Sequence, residues 1–161
     1  MSGTGWQSAV PPVAERFGVA GWLRLALRGA VLGGTVFGGL AGLLLLRLIE
    51  WPVHGSRRPW TPYITQGVCR VALAIIGLPL SVTGLALDRP GAVVANHGSW
   101  LDIFVLNAAD RITFVSKVEV AGWPGIGWLA RATGTVFIRR DAREATKQKA
   151  AFEARLAEAR P

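Results

Sequence analysis

The residues best suited to chemistry lie together in Asn96-His97-Gly98-Ser99-Trp100-Leu101-Asp102. An imidazole can take a proton from a hydroxyl near neutral pH. A carboxylate on its other nitrogen fixes the tautomer and stabilises the imidazolium that forms. General-base help of this kind is worth roughly 10²–10⁴ in rate. His97 and Asp102 are five positions apart, about 140° around a helix, so one helical face cannot carry both. They can meet if His97 occupies a strand-to-helix turn and Asp102 the first helical turn. Plainer readings stand beside this one. Asp102 can be a helix-start charge and Ser99 an N-cap. Ser99 lacks the Gly-x-Ser-x-Gly elbow of a serine nucleophile. A metal site needs a third ligand, and the only other histidine, His54, sits in a proline-containing linker; no metal is expected.

Positioning such a turn requires a strand before it and a helix after it. Ala92–Ala95 is short and apolar, as buried α/β strands are, and follows the turn Asp88-Arg89-Pro90-Gly91. Leu80–Leu87 reads as the strand before that. Downstream, the pattern alternates: helix Trp100–Ala108, strand Ile112–Ser116, helix Trp123–Thr133 after a Gly-Trp-Pro-Gly turn, and strand Thr135–Ile138. An amphipathic helix Asp141–Arg160 closes the chain, with a capping-box-like Asp141 and Glu144 and an apolar stripe through Phe152 and Leu156. Lys147 and Lys149 suit its solvated face. Strand–helix alternation predicts an α/β fold, and a strand's end is where ligand sites form in such sheets.

The first half of the chain has a different character. The 161 residues are 51% hydrophobic, and the excess sits in two apolar stretches before residue 90. Gly29–Leu46 is uncharged between Arg28 and Arg47; its eighteen residues rise ~27 Å as a helix, close to a bilayer's hydrocarbon thickness. Glycines four apart (Gly29/Gly33, Gly34/Gly38, Gly38/Gly42) offer stripes for close helix approach. The expected layout is a leader over 1–28, a membrane helix over 29–46, a hinge and interfacial helix over 47–79, and an α/β domain over 80–161. Residues 1–28 have no compact apolar core, so they do not read as a cleavable signal. The hinge spans Glu50–Thr61, with Trp51 and Trp60 at headgroup level, and the interfacial helix spans Gln66–Leu78. Cys69, the single cysteine, excludes an internal disulfide and reads as a small buried hydrophobe.

The formal charge is +8, of which +5 falls in residues 1–90 and +3 in 91–161. Bases that flank apolar segments fit anionic lipid, and no nucleic-acid partner is expected. The slight basic excess after the apolar helix fits a cytoplasmic C-terminal side.

Four blocks in order carry a family likeness. Asn96-His97 through Asp102 resembles the Asn-His-x4-Asp signature of the glycerolipid acyltransferases, of the 1-acylglycerol-3-phosphate acyltransferase type. Thr113-Phe114-Val115-Ser116-Lys117-Val118-Glu119, Trp123-Pro124-Gly125-Ile126-Gly127 and Gly134-Thr135-Val136-Phe137-Ile138-Arg139-Arg140 are similar to the family's next three blocks, at family spacing. The resemblance covers about residues 80–145. It implies transfer of a fatty acyl group from acyl-CoA or acyl-carrier protein to a lysolipid hydroxyl, without an acyl-enzyme and without a cofactor. His97 would be the base and Asp102 its partner. Arg140 would meet the substrate phosphate, with Lys117 as a second cation and the amides of Gly98 and Ser99 available to an oxyanion or phosphate. Arg139 replaces the commoner family Asp and adds positive charge near the headgroup. The expected acceptor is 1-acyl-glycerol-3-phosphate, giving phosphatidic acid. Lyso-ornithine lipid or another lysolipid is the alternative, and an inactive membrane-binding fragment is the rival. The implied place is a bacterial-type inner membrane, with the site at the cytoplasmic face. The family's Glu-Gly-Thr-Arg block should follow Asp141–Arg160, so the sequence reads as C-terminally truncated.

Overall fold

The computed structural model describes residues 18–84 and 91–139, together with Glu153. Helix α1 runs from Val19 to His54, helix α2 from Thr61 to Ile76, and helix α3 from Leu101 to Ala109. Strand β1 (Val115–Lys117) is followed by a 3₁₀ turn (Val118–Gly122), helix α4 (Ile126–Ala132) and strand β2 (Val136–Ile138).

The apolar stretch Gly29–Leu46 is the middle of α1, a helix of 36 residues. At ~1.5 Å per residue such a helix extends ~54 Å, well beyond a bilayer's apolar core. It contains a window of mean hydropathy 1.9 and is long and apolar enough to cross a membrane. The helix also takes in residues expected in the leader and hinge. It passes through Pro52 and stops at Gly55. A proline deletes one backbone bond four residues back, and so close to the helix end that loss interrupts little.

The loop after α1 is held by charge. The Glu50 carboxylate is fully buried. It accepts hydrogen bonds from Trp60 N at 2.7 Å, Thr61 N at 3.2 Å, Thr61 Oγ1 at 3.0 Å and Arg47 Nη1 at 3.1 Å. A carboxylate on the first amides of a helix satisfies donors that have no partner within the helix, so Glu50 starts α2. Arg47 also donates to the carbonyls of Gly55 (2.7 Å) and Arg57 (2.8 Å). The His54 ring packs edge-on against Trp60, with centroids 4.9 Å apart.

α1 and α2 form a hairpin whose tight point is Gly39. A Cβ there would stand 2.3 Å from Val68 Cγ2. The glycines expected to form the contact stripe, at 29, 33, 34, 38 and 42, have nothing that close; α2 crosses one residue away from that stripe. The opposite side of α2 packs on α3, where Cys69, Leu73 and Ala108 are buried and Phe104 and Val105 lie against them. Cys69 is 5% exposed, which suits the expected apolar role. Gln66 Nε2 and Arg70 Nε donate to the Ala108 carbonyl at 3.4 and 3.0 Å, covering the end of α3.

β1 and β2 pair in parallel, Val115 opposite Val136 and Lys117 opposite Ile138, with the 3₁₀ turn and α4 as the crossover. Helices with a parallel pair make this an α/β chain. Two expected strands do not form among the described residues: 80–84 and 91–98 have no ladder. Backbone groups become a strand only beside a partner, and the described sheet has the order β1-β2 alone. Val94 is 95% exposed accordingly. The end of the expected strand Leu80–Leu87 and, Glu153 apart, the closing helix Asp141–Arg160 with its capping residues lie outside the described residues, as does most of the leader.

Two substitutions test the hairpin. Gly39→Ala drives a methyl into Val68 and should lower stability by about 1–3 kcal/mol. Gly42→Ala meets open space, so it should be neutral or add about 0.5–1 kcal/mol through helix propensity; thermal unfolding in detergent reads both. Glu50→Ala strands buried donors at the start of α2 and should destabilise by about 2–3 kcal/mol, measured as a lower denaturation midpoint.

Candidate active site

The turn before α3 is organised by one oxygen. Asp102 is the second residue of α3. Its Oδ2 accepts from Gly98 N at 2.8 Å, from Ser99 N at 2.9 Å and from His97 Nδ1 at 3.0 Å. The chain must fold back over the helix start to bring these donors together, and it is pinned there. The Ser99 carbonyl accepts from Asp102 N at 3.1 Å, and Ser99 Oγ accepts from Leu101 N at 3.2 Å. Ser99 thus braces the turn just before the helix, while the N-cap position expected for it is held by Trp100, which makes no side-chain cap bond. His97 and Asp102 meet by the route their spacing allowed, with the imidazole in the turn and the carboxylate in the first helical turn.

The electrostatics follow. The Asp102 carboxyl is held below its ordinary value, foremost by the Ser99 amide. Partial desolvation opposes this, while the His97 hydrogen bond, the Gly98 amide and the imidazole's charge reinforce it. An ionised Asp102 makes Nδ1 the proton-bearing nitrogen, so the lone pair of a neutral His97 is on Nε2. The His97 side chain is 68% exposed, which leaves that nitrogen open to an incoming hydroxyl. Trp100, 61% exposed, stands edge-on to Phe104 beside it.

The remaining expected site residues are placed differently. The Gly98 and Ser99 amides, expected to face an oxyanion or phosphate, are directed at Asp102 instead. Lys117 ends β1 and Arg139 follows β2 directly, so parallel pairing sets both at the carboxyl end of the sheet, and both are exposed. Arg140 lies outside the described residues. Among the described residues, no three His, Cys, Asp or Glu side chains gather as metal ligands.

The sequence reading passed over two polar residues with structural partners. Glu50 was read only as the edge of a linker; its spacing from Arg47 and from a Thr-Pro helix start was the available signal. Arg58 is by sequence only a base within the hinge, yet its guanidinium donates to the Ala132 carbonyl at the end of α4. No local signal pointed there, because the partner is 74 residues away.

Residues 80–160 match the Acyltransferase family, half of the chain. A lyso-ornithine lipid O-acyltransferase of Rhodobacter capsulatus is 57% identical over 151 residues, covering 94% of this chain and 55% of that protein. The protein of the same name in Pseudomonas aeruginosa is 41% identical, over 73% of this chain and 46% of its own length. A 1-acyl-sn-glycerol-3-phosphate acyltransferase of Neisseria gonorrhoeae is 42% identical over 45% of this chain and 29% of its own. The chain therefore spans about half the length of the curated relatives it matches. No solved structure matches it significantly. With the histidine–aspartate turn inside the matched region, the chain belongs to the glycerolipid acyltransferase family.

Proposed function

We propose that this protein moves a fatty acyl group from acyl-CoA or acyl-carrier protein to the hydroxyl of lyso-ornithine lipid at a membrane. The observation that carries the chemistry is the 3.0 Å contact between His97 Nδ1 and Asp102 Oδ2, with Nε2 left open. In this reading Nε2 takes the acceptor's hydroxyl proton as its oxygen attacks the thioester carbonyl. The carbon–oxygen bond forms, the carbon–sulfur bond breaks, and the departing thiolate receives the proton back from the imidazolium. Asp102 stays ionised and holds the ring in one orientation throughout.

The acceptor differs from the first expectation. Two relatives 57% and 41% identical along most of this chain carry lyso-ornithine lipid in their names, while relatives named for 1-acyl-sn-glycerol-3-phosphate align over less than half of it or at 30% identity. An ornithine head offers a carboxylate, and guanidinium and ammonium groups pair with carboxylate as well as with phosphate. Lys117 and Arg139 at the sheet's carboxyl end, with Arg140 beyond, are the cations we assign to that head. Transfer to 1-acylglycerol-3-phosphate is the second reading, favoured by the same cluster of positive charge. The α1–α2 hairpin is the membrane anchor in this account, residues 80–161 carry the transfer site, and the site faces the cytoplasm, where the acyl donors are.

Acyl transfer by the purified chain, measured with labelled acyl thioester and each lysolipid in mixed micelles, should favour lyso-ornithine lipid. His97→Ala should cut the rate by roughly 10²–10⁴. Equal rates for His97→Ala and the parent chain would remove the base from the mechanism. Asp102 has a second measurable signature. Because its folded pKa is lowered, its ionised form adds stability above the ordinary carboxylate range, and that part is lost as pH falls through the lowered value. Asp102→Asn should slow transfer and remove this component of acid unfolding, followed by circular dichroism across pH 2–6.

A further inference from the structure

The loop between α1 and α2 reaches the α4–β2 turn through Arg58. Arg58 leaves the loop after α1 and donates from Nη1 to the Ala132 carbonyl, the last of α4. Two residues on, the chain turns at Gly134, whose φ is +82°. A Cβ at Gly134 would stand 3.1 Å from Arg58 Cζ and Nη1 and 3.2 Å from Nε. The guanidinium therefore lies flat against the turn that launches β2, with hardly a methyl's width to spare. From there the path is short and stiff. Gly134 N bonds the Arg131 carbonyl, Thr135 N the Ala130 carbonyl and Val136 N the Phe114 carbonyl, at 3.1, 2.9 and 2.8 Å. β2 then runs three residues to Arg139.

The geometry points to Arg58 as a positioning residue for acceptor binding. It ties the hairpin to the α4–β2 turn and thereby sets where Arg139 stands. This rests on the proposed reading, in which Arg139 meets the lipid head. Arg58 itself is used inside the protein; its effect on the lipid travels through β2. A guanidinium suits the task because its planar fork covers a turn and donates to a carbonyl together. A lysine can donate to Ala132 but cannot cover Gly134.

Affinity for lyso-ornithine lipid in detergent, together with KM and kcat for acyl transfer, tests this on the whole chain. Arg58→Ala should weaken lipid affinity and raise the acceptor's KM about tenfold, changing kcat and the donor's KM far less. Arg58→Lys should recover part of the loss. In an Arg139→Gln background, Arg58→Ala should add little, because the residue it positions is gone. Should Arg58→Ala fold poorly, Arg58→Met keeps the apolar stem while removing the guanidinium and should show the same selective loss of acceptor affinity. Affinity within twofold of the parent in both variants overturns the proposal, as does a full additive loss in the Arg139→Gln background. His97→Ala separates the two ideas. If it retains full transfer, the catalytic reading fails while the affinity cycle still judges Arg58.

Discussion

A single carboxylate oxygen holds the reactive turn together. Asp102 Oδ2 takes two backbone amides and one imidazole nitrogen, so the same atom shapes the loop, starts the helix and aims the ring. Such economy has a consequence for chemistry. The Gly98 and Ser99 amides that fix the loop are committed to the aspartate, so charge developing on a bound thioester must find its donors elsewhere. The histidine's orientation depends on the same oxygen as the loop, whereas the loop also keeps the Asp102 N–Ser99 carbonyl and Leu101 N–Ser99 Oγ bonds.

A second carboxylate performs a comparable task in the hairpin. Glu50 is withdrawn from water and surrounded by four donors, which turns a loop between two apolar helices into a fixed corner. Large apolar side chains such as Leu23, Leu45, Leu48 and Trp51 remain exposed on α1. Exposed area of that kind suits an apolar partner, and α1 is long and apolar enough to cross a membrane. Arg47, Glu50 and Thr61 meet at the hairpin's corner, just past the uncharged run of α1.

The histidine–aspartate contact was legible because it is local: five positions, a helix start and the residue types suffice to derive it. The apolar helix was legible from its uncharged run, yet its ends were not. Arg24, Arg28, Arg47 and Glu50 look like boundaries by charge, and the backbone bonds through them because their side chains can leave the helix axis. The strands expected at Leu80–Leu87 and Ala92–Ala95 depend on pairing with a neighbour, which no local pattern encodes. Gly39 was missed for a related reason. The spacing of glycines reveals that a helix has a small face, while the choice of contact residue belongs to the side chain that arrives, here Val68.

Gly125 lies against the middle of α1: a Cβ there would be 3.8 Å from Phe37 Cζ, and Phe37 sits near the centre of the uncharged run. Whatever depth Phe37 takes in lipid, this turn must share. Backbone at such depth has no hydration to fall back on and must satisfy itself. Part of that need is met here, since Trp123 N bonds the Val120 carbonyl, Ile126 N that of Pro124 and Gly127 N that of Trp123, all within 3.1 Å. The Gly-Trp-Pro-Gly segment is thereby tied through Phe37 to whatever environment the middle of α1 occupies.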